Sequence, residues 1–403
     1  MTTRRVSHRR FGRVARRVRS ALAGLLAAGL VVAGSAAPAA GQQPADHRLL
    51  LGYYVPYDPT SWVSLQAHAD DLDIVAAQWV TIDGCGQLGS RDDQTLKRLA
   101  RDHNLRVVPS LLTLSAWLNH QVLTDETATA NAIDQIVNYT LAEDYDGFDL
   151  DLEGVDPADR DALTAFVGSV ADALHANDKL LTLAIPAKER DVTVGWAGAY
   201  DYAALGAPAD LVTIMAYEYR GPFSGPGSVA PFDWVQRVAR FATSQIPAEK
   251  VLLGLAFYGY DWNTTSGGTR SIGYPQFAAL AQRYAAPVSF DPAQRSLTFE
   301  YEGAAGDPPP GVTPPARPNH VITVRNAPPC DVQPPPAPPP PPRPPAPPAG
   351  TPQAHAVWLE DAASAAARLD LATAYRTGGV AAWRLGLEDP NVWDVFRSWF
   401  GRP

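Results

Sequence analysis

Four carboxylates stand within the stretch YDGFDLDLEG, residues 145–154. Asp149, Asp151 and Glu153 fall two apart, with apolar Phe148, Leu150 and Leu152 interleaved. In a strand, the period of two puts the three acids on one face and the three apolar residues on the other. Three carboxyls so close do not all ionise easily, so a proton is retained and shared at a raised pKa. A carboxylic acid still protonated near neutral pH is what general acid catalysis requires. The bland alternatives are a solvated polar face or a calcium site. The apolar flanks argue against the first, and the row lacks the spacing and glycine of an EF-hand loop. Asp146 has the opposite parity and is expected to cap a loop or hold backbone.

Eight short apolar segments could position such a row: 49–57, 73–82, 105–113, 146–153, 180–187, 211–219, 251–260 and 378–386. Several are apolar on both faces, as parallel strands covered by helices are, and helical patterns follow most of them. This alternation predicts an α/β fold, a (β/α)8 TIM barrel over 48–402, with a doubly wound open sheet as the alternative. The carboxylate row would be the fourth strand and would climb towards the C-terminal mouth, where barrel active sites lie. The seventh and eighth strands are separated by far more than one crossover helix. The gap holds a helical stretch (274–286), a hairpin-like pair (288–301), HAVWLED (355–361) and a last helix from Ala362 to Tyr375. It predicts a small α+β insertion at 264–361, interrupted by a Pro-rich tract at 307–352. That tract is expected to be an extended, disordered linker, dispensable for catalysis.

Residues 1–41 read as a secretory signal peptide: eight arginines and no acid, an apolar run from Ala21 to Gly34, then small residues. Cleavage is expected near 39–41, giving a secreted, extracellular protein without stable membrane insertion; a retained anchor is the alternative. HRRFGR hints at twin-arginine export. Losing those arginines lowers the formal charge from −9 to −17. So acidic a chain argues against nucleic acid or anionic lipid as a partner and is silent about a neutral sugar polymer. Two cysteines, Cys85 and Cys330, are too few for a disulfide scaffold or a Cys-based zinc site; in an exported protein they are expected to pair.

DGFDLDLE matches the DGxDxDxE signature of glycoside hydrolase family 18, the chitinase-like hydrolases, and the resemblance runs over nearly all of 48–402. IMAYEY resembles the family's Met-x-Tyr-Asp element with Glu218 in place of Asp, and GLAFYGYDW and GVAAWRLGLEDPNVW resemble its seventh and eighth strands. The chain looks most similar to the branch of spore-germination and peptidoglycan-acting N-acetylglucosaminidases. The resemblance implies a retaining hydrolase acting on polysaccharide containing β-1,4-linked N-acetylglucosamine without an enzyme nucleophile, and a monomer is expected. Glu153 would be the acid and Asp151 would stabilise an oxazolinium ion. Asp149 would share a proton with Asp151, and Tyr217 would orient the acetamido group. Trp383 would floor the sugar site. Glu218, Tyr54, Tyr258 and Trp262 are further candidates for binding substrate. No metal or cofactor is expected. A silent lectin on the same fold is the rival reading, though silent relatives typically lack an acid of the row.

Overall fold

The computed structural model describes residues 48–307, 315, 319–336 and 347–402; the expected signal peptide lies outside them. Fifteen strands follow in chain order. They are β1 (Leu49–Tyr54), β2 (Ile74–Ile82), β3 (Leu88–Asp93), β4 (Arg106–Thr113), β5 (Gly147–Leu152), β6 (Leu180–Pro186), β7 (Leu211–Met215) and β8 (Val251–Ala256). Then come β9 (Tyr258–Asn263), β10 (Thr269–Gly273), β11 (Ser289–Asp291), β12 (Ser296–Ala304), β13 (Ile322–Arg325), β14 (Pro352–Leu359) and β15 (Gly379–Trp383). The strands β1, β2, β4, β5, β6, β7, β8 and β15 pair in parallel in that order, and β15 pairs back with β1. The result is a closed (β/α)8 TIM barrel.

Period two within each barrel strand sorts the side chains. Leu49, Leu51 and Tyr53 of β1 join Ile74, Ala76, Val108, Leu211, Leu252 and Ala381 in the barrel interior. The alternate residues Leu50 and Tyr54, with Phe148, Leu150 and Leu152 of β5, pack outward against the helices. Helix starts are set locally: Asp58, Asp93, Ser115, Asp125, Asp201 and Asp361 each accept a hydrogen bond from an amide of the first turn. Each such cap contributes about 1 kcal/mol.

The insertion after β8 is a second sheet in the order β10-β9-β14-β12-β11, with the helix Tyr274–Arg283 packed on it through Phe277 and Leu280. The sheet begins at Tyr258 rather than at 264, because β9 follows β8 after a single residue. The Pro-rich tract is corrected at 319–336, which is not a bare linker. There β13 pairs antiparallel with β3, itself a hairpin partner of β2. His320 packs edge-on against Trp62 and hydrogen-bonds Asp93. Cys330 is disulfide-bonded to Cys85, as expected. Ile-Thr-Val-Arg at 322–325 is a β-prone island whose partner strand lies far away in sequence, so local proline content hid it.

Candidate active site

Asp149 and Asp151 point into the barrel from β5 and are buried, and Glu153 stands just past the strand end, half-buried at the mouth. The spacing of the row alone sets this gradient from core to solvent. Thr182 Oγ1 donates to Asp149 Oδ1 at 2.5 Å, while Asp149 Oδ2 and Asp151 Oδ1 have no hydrogen-bond partner among the described residues. Burial pushes the Asp149 carboxyl up to about 6, against the opposing hydrogen bond from Thr182. Asp151 is raised well above the usual range by burial and then by the charges of Glu153 and Asp149. Burial and the charge of Glu218 push Glu153 up to about 7. The row therefore holds protons at a pH where ordinary carboxyls have lost them.

The backbone of Glu153 is fixed from three sides. Its amide donates to Thr113 O at 2.8 Å, Asn119 Nδ2 donates to its carbonyl at 2.7 Å, and Tyr200 Oη donates to the preceding Leu152 carbonyl at 2.7 Å. Asp146, as its parity implies, accepts from the Val107 amide at 2.7 Å and ties β4 to β5.

Tyr217, past the end of β7, is buried, and the charges of Asp151 and Glu153 add to burial in raising its phenol. Its ring fits because position 254 on β8 is glycine: a Cβ there would lie 3.0 Å from the Tyr217 ring and 2.5 Å from the Ile214 carbonyl. Glu218 sits at φ 64° and accepts hydrogen bonds from Tyr258 Oη and, at 2.7 Å, Tyr260 Oη. A Cβ at Gly221 would stand 2.5 Å from Glu218 Oε2, so that glycine leaves room for the carboxylate. The extra methylene of Glu thus reaches across to the insertion sheet.

Trp383 ends β15 half-buried, its indole edge-on to the Tyr53 ring at 5.4 Å. The structure brings Asp149, Asp151, Glu153, Tyr217, Glu218 and Trp383 to one end of the barrel. It does not bring Tyr54 there: that side chain faces outward, with its ring against Trp79 and its hydroxyl 3.3 Å from Asp93. Tyr53 has the inward parity instead, and burial and the charges of Asp149 and Asp151 raise its phenol. Tyr258 is buried edge-on to Tyr217, and Trp262 donates to the Gly221 carbonyl at 3.3 Å. Both stand behind the 217–221 loop, as its support. Sequence reasoning missed Tyr53, Asn119 and Tyr260. It also missed Trp196, an exposed indole that lies against the turn at Gly154. Tyr53 was recoverable from Leu49 and Leu51; the others depend on contacts between distant segments.

Residues 50–322 match the glycosyl hydrolases family 18. The chain belongs to family 18. It is 30% identical to the putative sporulation-specific glycosylase YdhD of Bacillus subtilis, over 71% of this chain and 58% of that protein. It is 26% identical to the cortical fragment-lytic enzyme of the same organism, over 70% of this chain and 56% of the relative. The chain thus spans somewhat more than half the length of these relatives. Among solved structures, a chitinase from Chromobacterium violaceum superposes with a TM-score of 0.71 at 26% identity, covering 88% of this chain and all of that one. Among the described residues no helix is long and apolar enough to cross a membrane.

Proposed function

We propose that this protein is a secreted glycoside hydrolase that cleaves β-1,4-linked N-acetylglucosamine in chitin or peptidoglycan, with retention and with help from the substrate. The observation that carries the reading is the graded row: two buried acids below and, at the mouth, a half-buried Glu153 whose carboxyl is pushed up to about 7. Glu153 transfers its proton to the glycosidic oxygen as the C1–O bond breaks. The carbonyl oxygen of the substrate's 2-acetamido group forms the new bond to C1, giving an oxazolinium ion and the released alcohol. Asp151, ionised as its shared proton moves to Asp149, faces the acetamido N–H and balances the positive charge. Tyr217 donates to the acetamido oxygen and fixes its line of attack. Trp383 offers its apolar face to the C–H side of the pyranose. Water, deprotonated by Glu153, then opens the oxazolinium at C1 and restores both acid and acetamido group.

The chitinase and cortex-lytic relatives support this class of linkage, and the complete row argues against a silent lectin. Mass spectrometry of products from chitin and from purified peptidoglycan tests the reading. Retained β-anomers ending in N-acetylglucosamine are expected from at least one polymer. No turnover of either, by a folded protein, would overturn it.

A further inference from the structure

The insertion sheet has two sides with different company. Alternation along β9 turns Tyr258, Tyr260 and Trp262 towards the 217–221 loop of the catalytic mouth, and Asp261 and Asn263 to the opposite face. On that opposite face lies a cavity of about 240 Å3. It is lined by Asn263, Arg270, Tyr284, Tyr301, Gln353 and His355, and by the roots of the Pro-rich tract at Gly306 and Pro347. The two roots are pinned together: the Ala305 amide donates to the Thr351 carbonyl and the Gly350 amide donates to the Ala305 carbonyl, each at 2.8 Å.

The chemistry of the lining narrows the occupant. Tyr284 and Tyr301 stack at 4.3 Å, and Tyr301 and His355 at 4.5 Å, making a flat aromatic column. Around it stand planar amide and guanidinium groups. Asn263 Nδ2 donates to Gln353 Oε1 at 3.0 Å, and Arg270 donates to buried Asp261 at 2.7 Å. Arg270 Nε is buried without an acceptor among the described residues. An occupant's oxygen placed against the guanidinium would give that donor an acceptor. The charges are balanced: Arg270 pairs with Asp261, and Arg283 shares the cavity wall with Asp307. A free anion therefore gains little, whereas hydroxyls that donate and accept, carried on a ring with an apolar face, meet both signs of partner.

We infer that this cavity is a second saccharide-binding site, sized for one pyranose unit and set on the far side of the insertion from the cleft. It rests on the polysaccharide reading above. Its role is to hold a neighbouring stretch of polymer, or a second strand, while the mouth cuts.

Titration of the full chain with N-acetylglucosamine, followed by saturation-transfer NMR, tests it. Trp383→Ala weakens the cleft and should leave saturable binding at the cavity. Arg270→Lys keeps a cation beside Asp261 but removes the planar donor, and Ser266→Phe obstructs the rim from an exposed position. Each should lower the remaining affinity tenfold or more while leaving turnover of a small fluorogenic chitobioside unchanged. The inference is overturned if Trp383→Ala abolishes all saturable binding, if the two cavity variants bind as the native chain does, or if inorganic phosphate displaces the sugar. Failure of the catalytic reading would show separately, as no hydrolysis of either polymer by the native chain.

Discussion

Replacing Glu153 by Gln should make the protein a much poorer catalyst and a more stable fold, and the two effects have the same origin. The carboxyl titrates near 4.5 in an unfolded chain and near 7 in the folded one. A folded pKa raised in this way adds stability that is fully present below about pH 4.5 and is lost as pH rises through about 7. The difference of about 2.5 units corresponds to roughly 3 kcal/mol between the two ends of that window. Gln carries no charge at any pH, so the variant escapes the loss. Urea unfolding should therefore show the variant gaining on the native protein by about 3 kcal/mol between pH 4 and pH 8. Turnover of a fluorogenic chitobioside should fall about 10²–10⁴-fold, since the amide cannot transfer a proton. In the native enzyme the rate should decline above about pH 7, where the acid loses its proton. A stability gap that stays flat with pH refutes the electrostatic argument, and wild-type turnover in a folded variant refutes the assignment of the acid.

Asp151→Asn should also cut turnover severely, and a thiazoline mimic of the oxazolinium should lose affinity mainly in this variant; equal inhibition of native and variant proteins would contradict the role of Asp151. Mass spectrometry of unreduced tryptic peptides should recover Cys85 cross-linked to Cys330, and the Cys330→Ala variant should be less stable by several kcal/mol because the bond closes a very long loop; unchanged urea stability would show that the unfolded chain is already constrained. Replacing residues 337–346 with a Gly/Ser linker should leave small-substrate turnover nearly unchanged, whereas deleting 319–336 should lower stability by removing β13 and the disulfide. Activity should survive EDTA, because in the proposed mechanism Asp151, Tyr217 and the substrate supply the charge stabilisation; loss in EDTA restored by a divalent ion would refute this.

Much of the barrel was legible because its signals are local. Apolar strands such as IVAAQWVTI and GVAAW announce themselves within their own length, and the carboxylate row carries its period of two in plain view. The same rule, counted from Leu49 and Leu51, places Tyr53 rather than Tyr54 inside the barrel. Other features were hidden for physical reasons. β3 is short and polar, and it is a strand because β2 and β13 flank it. Asn119 lies on a helix with nothing in its sequence to distinguish it; its role comes from the Glu153 carbonyl, which the barrel brings within 2.7 Å. Glu218 shows the same limit. Its identity was visible, but the tyrosines that hold it belong to the insertion sheet, whose placement depends on the whole fold.

In the proposed mechanism the depth of each acid in the barrel divides the chemical work. Asp149 and Asp151 are buried inside the barrel, beside Thr182 and Tyr53, so a second negative charge there is disfavoured and a shared proton is favoured. Moving that proton from Asp151 to Asp149 leaves the pair's net charge unchanged but puts the negative charge on Asp151, which would suit the proposed partner of a cation that forms beside it and is gone afterwards. Glu153 is one step nearer the solvent. It is dry enough to keep its proton near neutral pH, yet exposed enough to exchange that proton with water once the leaving group has gone. Moving the row by one residue would turn all three acids against the helices and the leucines into the mouth. Moving it by two along the strand would keep the face but bury the acid or expose the stabiliser. The register of β5 against β4, with Asp149 opposite Ser110 and Asp151 opposite Leu112, would therefore set the proposed roles. A folded variant with two residues inserted before Gly147 and two removed after Glu153 should lose turnover even though every acid is retained; undiminished activity would show that depth does not set the roles.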